Sequence, residues 1–210
     1  MRGMAAGDLV LGITGASGAP YAVRLLEVLI KDQRVIHVTI SPAAAQVFHA
    51  ELGLVVDLRD PQLSDLLPPE LEHQARKLIR YHHFQDFSAG IASGSFLTAG
   101  MVVCPCSMGT VSAIAHGTSS NLIHRAADVH LKEKRKLILV PRETPLGLVQ
   151  LRNMTLCAEA GAVVLPAMPA YYTKPQTVQD MVDFVVGRIA DQLGVEHQLL
   201  KRWGTEQGDS

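Results

Sequence analysis

The chain has 210 residues, 48% of them hydrophobic, and a formal net charge of −1. That length supports one domain with a sizeable core, and no apolar run approaches the roughly 18 residues that would suggest a membrane span. Near-neutral charge gives no general pull toward nucleic acid, so local clusters of cations carry any recognition of anions.

Leu9 to Thr14 (LVLGIT) reads as a buried first strand. Gly15-Ala16-Ser17-Gly18-Ala19-Pro20 is a tight turn into a helix with Ala22, Leu25, Leu26 and Leu29 at helical spacing. Pro20 suits the first helical turn, where its missing N–H does no harm. The glycines let a ligand approach the backbone, the free N–H groups of the helix start are expected to face it, and the Ser17 hydroxyl adds a bond. The run lacks the full G-x-G-x-x-G dinucleotide spacing, which favours a mononucleotide; an ordinary glycine turn capped by serine is the other reading. Val35 to Ser41 alternates and is β-branched, predicting a second strand. Ser41-Pro42 then opens a helix to about Leu52, stopped at Gly53. Ser41 lies where open α/β sheets bind ligands, or is only a cap; Glu51, at the far end of that helix, reads as a solvated charge.

Between Leu54 and Phe87 only Leu71 to Ile79 looks helical. His82 and His83 are adjacent, so they point apart; no partner stands at ligand spacing, and a surface or edge position without metal is expected. Ser88 to Ser95 is small and suits a site-lining or plain loop. Gly100 to Pro105 is another central strand. Cys104 and Cys106 alternate to its opposite faces, so they and Cys157 read as buried thiols of a reducing cytoplasm; the first residues, MRGMAAGDLV, lack a signal peptide's cleavage pattern. Ser107-Met108-Gly109-Thr110 starts the next helix, with Ser107 and Thr110 spaced to meet one ligand. Asn121 to Lys134 is a helix on which Arg125, Asp128 and Lys132 are spaced to pair. The strand Lys136 to Pro141 delivers Arg142-Glu143-Thr144-Pro145. A helix at Leu148 to Ala160, a short strand at Ala162 to Pro166 and a loop with Tyr171, Tyr172 and Lys174 follow. Val178 to Leu193 is an amphipathic helix with Arg188 off its apolar stripe, and the tail carries the sole tryptophan, Trp203.

Strand–helix alternation calls for an α/β fold with a mainly parallel sheet and helices on both faces. One domain over residues 1–210 is expected, with a core at about 8–194 and a tail at 195–210. Glycines and hydroxyls recur after at least three strands, and one line of sheet ends would bring Gly15, Ser17, Ser41 and Ser107 to Thr110 together. Arg142, Arg125, Lys132 and Arg188 are candidate cations, Glu143 an acid or base, and Tyr172 an amphipathic wall. No Ser/His/Asp triad and no D-D-x-x-D run stands out. This chemistry describes a mononucleotide or phosphate-ester site, its anion held by arginine, lysine and backbone donors.

G-I-T-G-A-S-G-A at 12–19, C-P-C-S-M-G-T at 104–110, N-L-I-x-R-A-A-D-V at 121–129, L-K-E at 131–133 and L-V-P-R-E-T-P at 139–145 occur in that order. Y-Y-x-x-P-Q at 171–176, D-F-V-V-G-R at 183–188 and R-W-G at 202–204 extend the set. Together they resemble the flavin prenyltransferase family (UbiX/Pad1 type) across nearly the whole chain. The resemblance implies a Rossmann-like three-layer flavoprotein fold, assembled as a homododecamer, and transfer of a dimethylallyl group from dimethylallyl monophosphate to N5 and C6 of reduced FMN, without metal. The product, prenylated FMN, would serve a UbiD-type decarboxylase, in ubiquinone biosynthesis or aromatic-acid decarboxylation. By position, Gly15, Ala16, Ser17, Ser41, Ser107, Met108, Gly109, Thr110 and Arg142 match FMN-binding residues. Tyr172 and Arg188 match donor-binding residues; Lys132, Arg142 and Glu143 match groups around the departing phosphate. Ser17 and Glu143 match residues of the transfer steps, Glu51 one that approaches the site, Arg125 a cation contributed across a subunit interface, and Ser93 part of a site-lining loop. A flavin-containing cysteine decarboxylase shares the expected fold, but would need a catalytic histidine after an early strand and a P-A-S-A-N-T-type motif. A non-catalytic FMN carrier is the third reading.

Overall fold

The computed structural model describes residues 7–200. Trp203 and the R-W-G ending lie outside the described residues. The elements in order are β1 (Leu9–Ile13), α1 (Ala19–Lys31), β2 (Ile36–Ile40), α2 (Pro42–Leu52), α3 (Glu72–Leu78), β3 (Ile79–Tyr81) and β4 (Gly100–Cys106). They continue with α4 (Met108–Ala115), α5 (Leu122–Lys132), β5 (Leu137–Pro141), α6 (Leu148–Glu159), β6 (Val163–Val164) and α7 (Val178–Leu193). The strands form one six-stranded sheet in the order β3-β2-β1-β4-β5-β6, and every pairing is parallel. This is the expected Rossmann-like α/β fold. It adds one strand the sequence does not suggest: β3 is three residues long, sits at the edge and exposes Arg80, so it carries no alternating pattern to read.

Side chains alternate between two buried layers, as strand geometry requires. Leu9, Leu11 and Ile13 of β1 face α1 and α7, in a core with Leu25, Leu29, Val185 and Ile189. Val10 joins Met101, Val103, Ile123 and Ala126 on the other face, beneath α4 and α5. Cys104 belongs to the first core and Cys106 to the second; strict alternation would put residues two apart on one face, and a register shift in the β4–β5 pairing between Val103 and Cys106 turns Cys106 to the other layer. Burial pushes both thiols far above their ordinary range. Gly12 of β1 is set by this packing: a Cβ there would sit 2.9 Å from Ile123 Cγ2.

The chain leaves the sheet centre in opposite directions from β1 and β4, and in such a sheet the crevice for ligands opens between the carboxyl ends of those two strands. Thr14, 3% exposed, ties them together. Its hydroxyl donates to Pro105 O at 2.9 Å and accepts from Ser107 N at 2.8 Å, while its own N–H reaches Pro105 O at 3.2 Å. Thr14→Val keeps the shape but leaves the Ser107 N–H without its acceptor. A loss of about 1–3 kcal/mol is expected, read as a lower denaturation midpoint.

Candidate active site

Three turns converge at the carboxyl ends of β1, β2 and β4. The first is the start of α1. Gly18 has φ 129°, a left-handed conformation that a side chain would strain, and it delivers the chain into α1 with Pro20 in the first turn. The N–H groups at this helix start are not free for a ligand, contrary to expectation. The Glu51 carboxylate takes them: Oε2 accepts from Gly18 N at 2.9 Å and Ala19 N at 2.8 Å, and Oε1 from Gly18 N at 3.1 Å. Glu51 is therefore not simply a solvated charge at a helix end. Partial burial works to raise its pKa, but bonds from Ser17, Gly18 and Ala19 and the nearby Arg142 charge outweigh it and hold the carboxyl below its usual range. Gly15 serves packing: a Cβ would come within 2.4 Å of Ala43 Cβ at the start of α2. Ala16 is buried, so only its backbone can meet a ligand, whereas Ser17 is exposed.

The second turn is Ser41, which caps α2 by accepting from Ala44 N at 3.2 Å. The third is the start of α4. Ser107 Oγ accepts from Thr110 N at 3.3 Å and lies 3.1 Å from Thr110 Oγ1, so the two hydroxyls do converge as their spacing suggests. Met108 packs into the core and offers only its backbone. Gly109 is exposed, and a Cβ there would meet only Ser107 Oγ, at 4.0 Å. This helix start is thus open where that of α1 is filled.

Arg142 and Glu143 follow β5 and are exposed. Arg142 acts electrostatically on both Glu51 and Tyr21, which sets it beside the α1 turn. Tyr21 is a member of this group that sequence reasoning passed over. Half-buried, its hydroxyl is pushed above its ordinary range by burial and by Cys104 and Glu51, with Arg142 opposing. Its position one turn after the glycine run was the available signal. Glu143 lines a cleft with Pro141, Leu146, Met154, Pro166 and Met168. Pro166 and Met168 also border a second cleft along β6, and Arg188 lies in that one. Tyr172 packs edge-on against Phe184, ring centroids 6.0 Å apart, and Phe184 precedes Arg188 by one turn of α7.

Lys132, Ser93 and Arg125 stand apart from these groups within the chain. Lys132 ends α5, pairs with Glu133 and lies against Gly94; it does not pair with Asp128. The bond between His130 and Thr98, 2.8 Å, puts this end of α5 beside the segment leading into β4, at the amino ends of the strands. Seven-residue β4 separates the two edges by about 20 Å. One line of sheet ends therefore does not gather every candidate: a helix antiparallel to its strands carries its last residue to the opposite edge. Ser93 shares a 2.9 Å hydroxyl contact with Ser95 in the same region. Arg125 is partly buried on α5, and its Nε has no hydrogen-bond partner.

His82 directly follows the edge strand β3, in the edge position expected. It is half-buried and stacks on His37, whose Nδ1 lies 2.9 Å from His82 Nε2 and whose Nε2 lies 3.0 Å from Asp8. Among the described residues no group of three His, Cys, Asp or Glu could hold a metal ion.

The Flavoprotein family model matches residues 3–190, so the fold and its switch-point crevice are those of a flavoprotein. The flavin prenyltransferase UbiX of Alkalihalophilus pseudofirmus is 49% identical over 199 residues, covering 93% of this chain and 96% of that protein. The crystal structure of AnUbiX (PadA1) in complex with FMN and dimethylallyl pyrophosphate is 36% identical with a TM-score of 0.82, covering 94% of this chain and 97% of that one. A dodecameric FMN-dependent UbiX-like decarboxylase from Escherichia coli O157:H7 is 41% identical with a TM-score of 0.82, covering 93% and 98%. The chain belongs to the flavin prenyltransferase family, a family of transferases.

A carboxyl held below its usual range stabilises the fold above the pKa it has when unfolded, about 4.3 for glutamate, and loses that contribution as pH falls through the lowered folded value. Glu51→Gln is therefore expected to melt at a lower temperature than the parent at pH 7. The gap should close in acid, which paired melting curves at pH 7 and pH 3 would read.

Proposed function

We propose that this chain joins a dimethylallyl group from dimethylallyl monophosphate to N5 and C6 of reduced FMN, yielding prenylated FMN for a UbiD-type decarboxylase. The observation that carries this reading is the grouping of Ser17, Glu51 and Arg142 at the switch point, in a chain 36% identical to a protein crystallised with FMN and a dimethylallyl phosphate ester.

FMN suits the residues present. The open start of α4, with Gly109 and the Ser107 and Thr110 hydroxyls, has the donors an anionic phosphate needs, and Arg142 adds charge. Gly15, Ala16 and Ser41 offer backbone or cap atoms along the same crevice. Bound there in its reduced form, FMN supplies the nucleophilic ring positions. The protein's task is the leaving group, because a monophosphate departs poorly unless its growing charge is met. Arg142, Lys132 and the Tyr172 hydroxyl are the groups for that, while Arg188 binds the phosphate of the incoming donor. Glu143, with its Oε1 accepting from Thr144 N at 3.1 Å, holds a proton for the departing phosphate and later accepts one. The Ser17 hydroxyl, bonded to Glu51, relays a proton at the other end of the crevice. The apolar walls formed by Leu146, Met154 and Met168 keep water from the allyl group.

Lys132, Ser93 and Arg125 enter this scheme from neighbouring copies. With a dodecameric relative in view, we assign the same assembly to this chain. Its outward Leu148, Val149 and Leu151 on α6 supply apolar contact area. A decarboxylase reading has one observation in its favour, the description of that same relative. Anaerobic incubation with reduced FMN and dimethylallyl monophosphate, followed by flavin mass, separates the two. One added C5 unit is expected; an unchanged flavin mass together with release of carbon dioxide from an aromatic acid by this chain alone would replace the reading.

Lys132→Ala is expected to keep FMN and to slow single-turnover prenyl transfer. Because Lys132 and Glu143 would meet only between copies, Lys132→Ala and Glu143→Gln chains co-assembled in equal amounts should recover activity at about a quarter of the sites. No recovery in mixed assemblies would place both residues in the same chain's site.

A further inference from the structure

Arg188 lies half-exposed in the cleft along β6, and on its own it would be one more surface cation on a helix. Its surroundings are more organised than that. Nη1 donates to Asp191 Oδ2 at 3.2 Å, one turn along α7. The other oxygen, Oδ1, lies 3.1 Å from His197 Nε2. An exposed i,i+3 ion pair is worth little, because two long side chains must be held in one geometry by nothing else. Here the carboxylate is held from behind.

That arrangement has its own local cause. Gly194 ends α7 in a left-handed conformation, φ 66°, and turns the chain back on the helix. Gly187 makes room for the returning segment: a Cβ there would come within 2.6 Å of Leu200 Cγ and 3.2 Å of His197 Cε1. The His197 side chain is consequently 3% exposed. The Leu199 N–H donates to its Nδ1 at 3.2 Å, so that nitrogen is an acceptor and the hydrogen sits on Nε2, aimed at Asp191. A backbone amide thus sets the histidine tautomer, the histidine fixes one carboxylate oxygen, and the second oxygen faces Arg188.

We infer that Asp191, oriented by His197, is a positioning residue that holds the Arg188 guanidinium extended along the cleft for an anionic phosphate. Of the five N–H donors of arginine, the pairing engages Nη1 and leaves the opposite side of the fork for a second anion. This inference rests on the assignment of Arg188 to the donor phosphate.

Asn at 191 has one carbonyl oxygen where two donors, His197 and Arg188, each need an acceptor, so one of them faces an NH₂ group. For Asp191→Asn in the full assembly, KM for dimethylallyl monophosphate is expected to rise about fivefold to tenfold with kcat within about twofold, since ground-state placement of the donor is what is lost. FMN affinity, read by fluorescence, stays at the parent value. His197→Ala should raise the same KM, and His197→Gln, which retains a donor near the Nε2 position, should restore it. Combining Asp191→Asn with Arg188→Ala should add nothing to Arg188→Ala alone, because the partner that Asp191 serves is gone. A parent-like KM in His197→Ala, or effects that add in the double variant, would overturn the inference even if Asp191→Asn fails to fold. A parent-like KM in Arg188→Ala would instead remove the donor assignment beneath it.

Discussion

Thr14 joins the ends of two strands that send the chain away from each other. From β1 the chain turns toward β2 and β3, and from β4 toward β5 and β6, so no covalent connection holds the two carboxyl ends in register and hydrogen bonds and packing do so instead. Beyond the ladder itself, the Thr14 hydroxyl supplies that hold, buried and using both its donor and an acceptor. Everything at the crevice is measured from there. Ser107 is fixed through its N–H, the start of α4 through Ser107, and the α1 turn by direct continuation from Thr14. Small shifts between packed strands are costly because interiors are close-packed, and this converts one side chain's bonds into precision for a whole site.

Much of this was legible in the residues. Buried parallel strands read as apolar runs, and helix starts announce themselves by Ser41-Pro42 and by Ser107 with Thr110 three residues on. Hydroxyls that follow neighbouring parallel strands fall on one edge of the sheet, because such strands all end there. Glu51 was legible through the family resemblance but not from its own place at a helix end, because its placement depends on how closely α2 packs on the α1 turn, where Gly15 and Ala43, twenty-eight residues apart, come together. The edge position of His82 was legible, but its stacking on His37 was not, because that partner lies on β2 and only the β2–β3 pairing brings the rings together. The placement of Lys132 could have been deduced. In a parallel α/β sheet the end of a crossover helix and the end of a strand lie at opposite edges, whatever their charges.

That separation gives the chain two unlike ends. One bears the crevice with Ser17, Arg142 and Glu143; the other bears Lys132 and the Ser93 segment. Symmetric assembly can set such ends against each other, and heterologous contacts that close into a ring repeat the same junction at every copy. A protein built this way would have no complete site as a single chain. Its affinity for a donor would then depend on concentration through assembly, not only on the pocket's own chemistry.

The Glu51 carboxylate at the start of α1 has a consequence for how anything can lie in the crevice. Two helix starts stand side by side there, each with the partial positive charge of unpaired N–H groups. One is already neutralised from within the chain; the other is open. A long ligand charged at one end and uncharged at the other meets attraction at α4 and a resident negative charge at α1. Even with Arg142 beside Glu51, this asymmetry favours the orientation that sets the charged end at α4 and leaves the uncharged end facing Ser17, Tyr21 and Glu51.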